Sequence, residues 1–176
     1  MQNMVPVKMH QIVKPLCWLI GTWKSVTAKS DYPSKNIHGR PFNEIISFKS
    51  LGQPQLKFDA LSWHPRTLLP IHIQNGYLYI DEHGKNVVLV ATHSVGYAIV
   101  EVGTVNECSL KLESHIIGHA DLSPCRVTQF RRSFYLNESG QLVYKMMLHT
   151  ENEQNLFNHL RVIYERDPLC QRSPNF

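Results

Sequence analysis

Long apolar runs are missing from this 176-residue chain. No stretch approaches the roughly 20 apolar residues that a helix needs to cross a bilayer, which excludes a helical membrane span. The N-terminus also lacks a continuous apolar segment of the secretory type, because Lys8, His10 and Lys14 interrupt it. We therefore expect an intracellular, cytoplasmic protein.

Paired-cysteine motifs and the common enzyme signatures are missing as well. Cys17, Cys108, Cys125 and Cys170 are widely separated and form no Cys-x-x-Cys pair, so reduced thiols in a cytosolic protein are expected. There is no glycine-rich phosphate loop, no Gly-x-Ser-x-Gly and no His-Glu-x-x-His. These absences exclude the usual nucleotide-binding, serine-hydrolase and zinc-protease motifs.

Charge is sparse and evenly spread. Charged residues make up 18% of the chain, and the formal net charge is +4. Lysine and arginine are scattered, with Arg131-Arg132 as the densest cluster, so neither a nucleic-acid partner nor a membrane partner is expected. The hydrophobic content of 43% is that of an ordinary globular protein. We expect one domain over residues 1–176, with its core at about residues 15–166.

The pattern that is present is strand after strand. Short runs of alternating apolar and polar residues recur between turn residues, and they predict ten strands: 17–28, 40–50, 55–64, 68–80, 86–93, 96–105, 109–117, 125–137, 141–150 and 156–166. Short connections favour antiparallel neighbours, so we predict an all-β, ten-stranded up-and-down barrel, with a two-sheet sandwich as the alternative. A helical turn at 8–15 would cap one end, and Trp23 would plug the base. A barrel of this size encloses a cavity.

Two histidines stand out, because His72 and His159 lie among apolar residues inside predicted strands. The other candidates, His38, His64, His83 and His119, lie in polar turns and are expected to be solvated. Strict alternation puts His159 on the less apolar face of its strand. It can face the cavity only near an open end, or where a β-bulge shifts the register. The residues alone predict a barrel with a cavity and leave open whether a histidine lies in it.

Ordered motifs along the chain resemble those of one family. They are Leu19-Ile20-Gly21-Thr22-Trp23 followed by Tyr32-Pro33, then Pro70-Ile71-His72-Ile73-Gln74-Asn75-Gly76-Tyr77, and finally Asn158-His159-Leu160-Arg161. Over residues 15–166 the chain is similar to the nitrobindin family of haem-binding, fatty-acid-binding-like β-barrels. The resemblance implies a single nitrobindin-like barrel domain.

The resemblance also implies a cofactor, haem b, with His159 as the axial ligand of the iron and His72, Ile71 and Leu148 lining the pocket. One axial histidine leaves an open iron site for diatomic or anionic ligands. In the family this site is linked to nitric oxide binding and to the isomerisation of peroxynitrite to nitrate. The chain departs from the family pattern at Ser25, Thr27, Gln74 and Asn158, which stand in place of Gly, Gly, Glu and Pro, and at Ala60, where Gln is common.

Two other functions fit a barrel of this kind. An intracellular carrier of fatty acid or another hydrophobic ligand would need an inner cation for the carboxylate, for which Arg161 is the candidate. A barrel that acts through a protein partner would have its cavity filled by bulky side chains such as Phe58, Tyr77 and Met146.

Overall fold

The protein is described from a computed structural model that covers residues 8–31, 38–120, 126–152 and 155–168. These residues contain one 3-10 helix, Gln11–Leu19, and eleven strands. The strands are β1 (Gly21–Asp31), β2 (His38–Pro41), β3 (Asn43–Ser50), β4 (Gln55–Trp63), β5 (Pro70–Ile80), β6 (Asn86–His93), β7 (Tyr97–Asn106), β8 (Ser109–His119), β9 (Val127–Leu136), β10 (Leu142–Thr150) and β11 (Phe157–Arg166).

Ten of these strands form a closed antiparallel barrel. The strand order runs β11-β10-β9-β8-β7-β6-β5-β4-β3-β1, and β11 pairs with β1 to close the sheet. This confirms the predicted ten-stranded up-and-down barrel and rules out the two-sheet sandwich, because one continuous ladder joins all ten strands. Strands β3 to β11 begin and end within three residues of the predicted ranges.

The prediction missed β2, a short strand that pairs with the last residues of β1. The first predicted strand also began too early, because residues 17–19 belong to the 3-10 helix. Val13, Leu16 and Leu19 on this helix are fully buried, so the apolar lead-in packs as a cap and not as a strand. Gly21 then starts β1 with a φ of 139°, a conformation that glycine adopts without strain.

The helix closes one end of the barrel, where it contacts β4 and β5 and lies beside the β5–β6 turn. Trp23 is 1% exposed and donates from its indole nitrogen to the carbonyl of Leu19 at 2.8 Å, which confirms its position at the base. No helix in the described ranges is long and apolar enough to cross a membrane.

Aromatic packing fills the closed half of the barrel. The ring of Phe48 lies 5.3 Å from Phe58 and 5.7 Å from Phe134, and Phe134 stacks on Tyr144 at 4.6 Å. Met146 is also buried, level with Arg132 on the neighbouring strand, whereas Tyr77 faces outward and is 41% exposed. The interior is therefore filled at the helix end, and any ligand site must lie toward the other end, called here the open end.

Some sequence predictions fall outside the described residues: the turns at Tyr32-Pro33 and Ser123-Pro124, and the thiols of Cys125 and Cys170. Of the described cysteines, Cys17 and Cys108 are free and exposed.

Candidate functional site

A row of polar and aromatic side chains crosses four strands at the open end. Gln74 on β5 pairs with His93 on β6, His93 pairs with Tyr97 on β7, and Tyr97 pairs with His119 on β8. Directly paired residues in an antiparallel sheet share a face, and Gln74 is buried, so this row faces the barrel interior. Four neighbouring strands therefore present these groups to one shared space.

Ring contacts tie this row to the residues around it. The ring of His93 lies 5.0 Å from that of His72 and 6.0 Å from that of Tyr97. Tyr97 in turn lies 5.1 Å from His119 and 6.0 Å from Phe130. We call these five residues, His72, His93, Tyr97, His119 and Phe130, the mouth array. Sequence reasoning found only His72 among them, although the alternation that places Val87, Leu89 and Ala91 inside also places His93 inside.

The position of His119 differs from the prediction, which placed it in a solvated turn. This residue is the last of β8, and its Nδ1 atom is buried without a hydrogen-bond partner among the described residues. His64 and His83 lie in turns, as predicted. The side chain of His38 is outside the described residues.

A β-bulge lies at His159. In the ladder between β10 and β11, Met146 pairs with Leu160 and Met147 pairs with Asn158, so His159 is the extra residue. Strict alternation from the buried Tyr164 through Val162 would turn His159 away from the interior. The bulge shifts the register, which is one of the two conditions under which the sequence predicts that His159 can face the cavity. The Nδ1 atom of His159 is buried, and a positive charge on His159 would lower the pKa of His93, so the imidazole of His159 lies near the mouth array.

Two imidazoles of the mouth array, those of His72 and His93, are disfavoured in their charged form. Burial lowers the pKa of His72, whose Nδ1 atom has no hydrogen-bond partner among the described residues. Burial, together with the positive charges of His72, Arg132 and His159, lowers the pKa of His93 to about 3. A neutral imidazole keeps one nitrogen lone pair and one N–H group, so these residues can accept, donate or coordinate.

The other two predicted pocket residues differ in their placement. Leu148 is buried and pairs with Phe130 on one side and with Phe157 on the other, so it belongs to the apolar wall of the open end. Ile71 is the extra residue of a bulge in β5, where Ser62 pairs with His72 and Trp63 with Pro70. Its side chain is 40% exposed, so Ile71 lies at the rim and not among the buried residues.

A buried ionic group forms the floor beneath the mouth array. The Nε atom of Arg132 lies 2.8 Å from a carboxylate oxygen of Glu101, and Nη1 donates to Gln74 Oε1 at 3.4 Å. The Nη2 atom of Arg132 and the hydroxyl of Tyr144 are buried without partners among the described residues. Arg132, not Arg161, is therefore the inner cation of this barrel, because Arg161 is exposed and Arg132 is buried.

A second buried carboxyl group lies on β3. The Tyr164 hydroxyl donates to Glu44. Burial raises the pKa of Glu44 to about 7, against the opposing effects of this hydrogen bond and of the charge on Arg132. The backbone N–H of Glu44 donates to Ser25 Oγ at 2.8 Å, so the serine that departs from the family pattern takes up a hydrogen bond where β1 separates from β3.

A cleft opens in the barrel wall beside the mouth array. Pairing between β8 and β9 stops at Glu113 and Arg131, beyond which Ser114 Oγ accepts from the backbone N–H of Phe130 at 3.0 Å. The cleft has a volume of about 350 Å³ and is lined by Ser114, His115, Ile117, His119, Arg126, Val127, Thr128 and Glu151. His119 belongs to both the cleft and the mouth array, so a small molecule can approach the array from the side.

The donor set fits haem better than an ion held by side chains alone. The described residues include no cluster of three or more His, Cys, Asp or Glu that could hold a metal ion. A porphyrin supplies four nitrogen ligands, so its iron needs only one axial imidazole from the protein. A histidine presented by a bulge, facing neutral imidazoles and an apolar wall, meets that requirement.

Comparisons with known proteins agree with this geometry. A family model described as "THAP4-like, heme-binding beta-barrel domain" matches residues 12–166. A human protein named "Peroxynitrite isomerase THAP4" is 33% identical over 165 residues, which cover 92% of this chain and 28% of that protein. The chain thus spans about 28% of the length of this relative.

Two further relatives are similar over nearly their whole length. An Arabidopsis thaliana protein named "Peroxynitrite isomerase Rv2717c" is 31% identical over 159 residues, covering 89% of this chain and 90% of that protein. The crystal structure of Rv2717c from M. tuberculosis superposes with a TM-score of 0.79 at 26% identity, covering 91% of this chain and 99% of that one.

Proposed function

Because this chain belongs to the THAP4-like, haem-binding β-barrel family, we propose that it binds haem b through His159 and isomerises peroxynitrite to nitrate. The observation that carries the proposal is the bulge at His159, which frees this imidazole from the outward face of β11 and lets it lie near His93 in the mouth array. Relatives that share about a third of its sequence are named as peroxynitrite isomerases.

Each part of the open end has a role in this proposal. His159 holds the iron from β11, while Leu148 and Phe130 give the macrocycle an apolar wall and exclude water. His72 lines the pocket from β5, and Ile71 contacts the cofactor at the rim. Bound haem supplies a Lewis-acidic iron with one coordination position open to nitric oxide or an anionic ligand.

The floor contributes a positive charge to the open end. Arg132 is buried, and its positive charge reaches the mouth array, as its effect on the pKa of His93 shows. A fixed positive charge in a water-excluded site attracts an anion such as peroxynitrite and stays in place as the anion reacts. The paired carboxylate of Glu101 keeps this charge compensated in the absence of an anion.

We place this activity in the cytoplasm. Cys17 and Cys108 are both exposed and both free, which agrees with a reducing compartment.

Haem titration tests the proposal. The protein should give a Soret band at one-to-one stoichiometry, and His159→Ala should abolish the band or weaken binding strongly. The matched control is His83→Ala, which removes an exposed histidine from the turn at the closed end and should titrate like the wild type. A Soret band in His159→Ala with unchanged affinity would reject His159 as the axial ligand. No band in the wild type would reject haem binding.

A further inference from the structure

His93 lies on the opposite side of the barrel from His159. In the closed sheet of ten strands, β6 is five strands away from β11 in either direction, so the two strands lie on opposite sides of the barrel. His93 is the last residue of β6, and His159 is near the start of β11, so both lie at the open end. A flat macrocycle held by His159 would therefore turn its other face toward His93.

The local backbone fixes which nitrogen of His93 carries the proton. The backbone N–H of Val95, in the β6–β7 turn, donates to Nδ1 of His93 at 3.3 Å. Because Nδ1 is the acceptor, the proton of the neutral ring lies on Nε2. The imidazole therefore presents an N–H group at Nε2, while its lone pair is already engaged with the turn.

The ring is also held in place before any ligand arrives. His72 and Tyr97 pack against it with ring separations of 5.0 and 6.0 Å, and these contacts come from the strands on either side. A donor fixed in this way needs no reorganisation to meet a ligand, which is the condition for an effective electrostatic contribution.

From these observations we propose that His93 is the hydrogen-bond donor to the small ligand that binds iron opposite His159, and that it is not itself an iron ligand. The inference rests on the proposed haem site. The ligands concerned are diatomic molecules and small anions with an acceptor atom, such as azide, cyanide and peroxynitrite. His72 differs in this respect, because its buried Nδ1 atom has no partner among the described residues to fix a tautomer.

Azide binding to the ferric holoprotein tests this role, with the carbon–oxygen stretch of the ferrous carbonyl complex as a second readout. His93→Leu should retain haem and its Soret band but weaken azide binding by about tenfold or more, the usual loss for a hydrogen bond to a charged group. The carbon–oxygen stretch should rise, because an N–H group that donates toward the ligand oxygen has been removed. His93→Gln keeps an N–H donor and should recover most of the azide affinity. His83→Leu, at the closed end, is the control and should match the wild type.

Two results would overturn the proposal. In the first, the azide affinity and the carbon–oxygen stretch of His93→Leu both equal those of the wild type, so His93 does not donate to the ligand. In the second, His93→Leu and His93→Gln both lose haem, so His93 is an iron ligand or a structural residue. Neither result bears on the assignment of His159 as the axial ligand. The proposed function fails separately, if the wild type takes up no haem or if His159→Ala takes it up unchanged.

Discussion

The Nε atom of Arg132 lies 2.8 Å from a carboxylate oxygen of Glu101, and the two side chains are 1% and 0% exposed. This pair crosses the barrel interior from β9 to β7, directly beneath the histidines of the open end. A pair this deeply buried is shielded from bulk water, so each charge depends on the other for its stability. The pair consequently links the stability of the barrel to the charge of the candidate site.

Glu101→Ala should destabilise the fold strongly, because it leaves the guanidinium of Arg132 buried without its counter-ion. We expect a loss of about 3–5 kcal/mol in the free energy of unfolding, measured by urea denaturation. The matched control is Glu113→Ala, since Glu113 pairs with the adjacent Arg131 at 3.1 Å with both side chains about half exposed. An exposed pair of this kind contributes about 1 kcal/mol or less. Equal losses in the two variants would contradict the argument from burial.

Glu44 should make the protein less stable as the pH rises. Burial raises the pKa of its carboxyl from 4.5 to about 7 in the folded state, so between these values the folded chain holds a proton that the unfolded chain has released. Stability falls with pH wherever the folded state binds more protons. The contribution of Glu44 to the free energy of unfolding is therefore lost between about pH 4.5 and pH 7 and is constant above that window.

The variant Glu44→Gln isolates this effect from the histidines, whose lowered pKa values act in the opposite direction. Glutamine keeps an oxygen that can accept from the Tyr164 hydroxyl and cannot ionise. Relative to the wild type, the variant should gain on the order of 3 kcal/mol between pH 4.5 and pH 8, at about 1.4 kcal/mol for each unit of pKa shift. The measurement is urea denaturation at several pH values, and a difference that does not change with pH would refute it.

The alternation of apolar and polar residues predicted the barrel, because ten strands with short turns have few other ways to bury their apolar faces. It could not predict which way His159 points. A bulge adds one residue to one strand, and its position depends on the partner strand, which the local sequence does not specify. The same limit applies to Ile71, the extra residue of a second bulge.

The mouth array could not be predicted from the sequence for a related reason. His93, Tyr97 and His119 lie on three different strands and meet only through the register of the sheet. Read singly, each is an ordinary polar residue near a turn. The apolar run before Gly21 was misread because Val13, Leu16 and Leu19 have the spacing of a one-sided helix, while Trp18 and Ile20 extend the run into the strand.

Arg166 should stabilise the closed end in a way that lysine cannot reproduce. Its guanidinium donates to the carbonyls of Trp18 and Ile20 and lies 4.1 Å from the ring of Trp23, so one side chain joins the helix to the barrel. Arg166→Lys retains the charge but loses the planar fork that makes several of these contacts at once. We expect a loss of about 1–2 kcal/mol in the free energy of unfolding. Arg161→Lys, on the exposed face of the same strand, should change stability little, and an equal loss there would show that the contacts of Arg166 are not the cause.

Peroxynitrite should decay faster with the haem-loaded protein than with the apoprotein, and the product should be nitrate. The physical reason is confinement: the mouth array and the apolar wall of Leu148 and Phe130 would screen the bound anion from bulk solvent while the haem supplies the Lewis-acidic iron. Stopped-flow decay, the nitrate yield and the nitration of free tyrosine measure the three consequences, and nitration should fall. Haem-loaded His83→Ala should behave like the wild type, whereas His159→Ala treated with the same amount of haem should behave like free haem with apoprotein. If the haem-loaded wild type and His159→Ala gave equal decay rates and equal tyrosine nitration, the barrel would bind haem without catalysing this isomerisation.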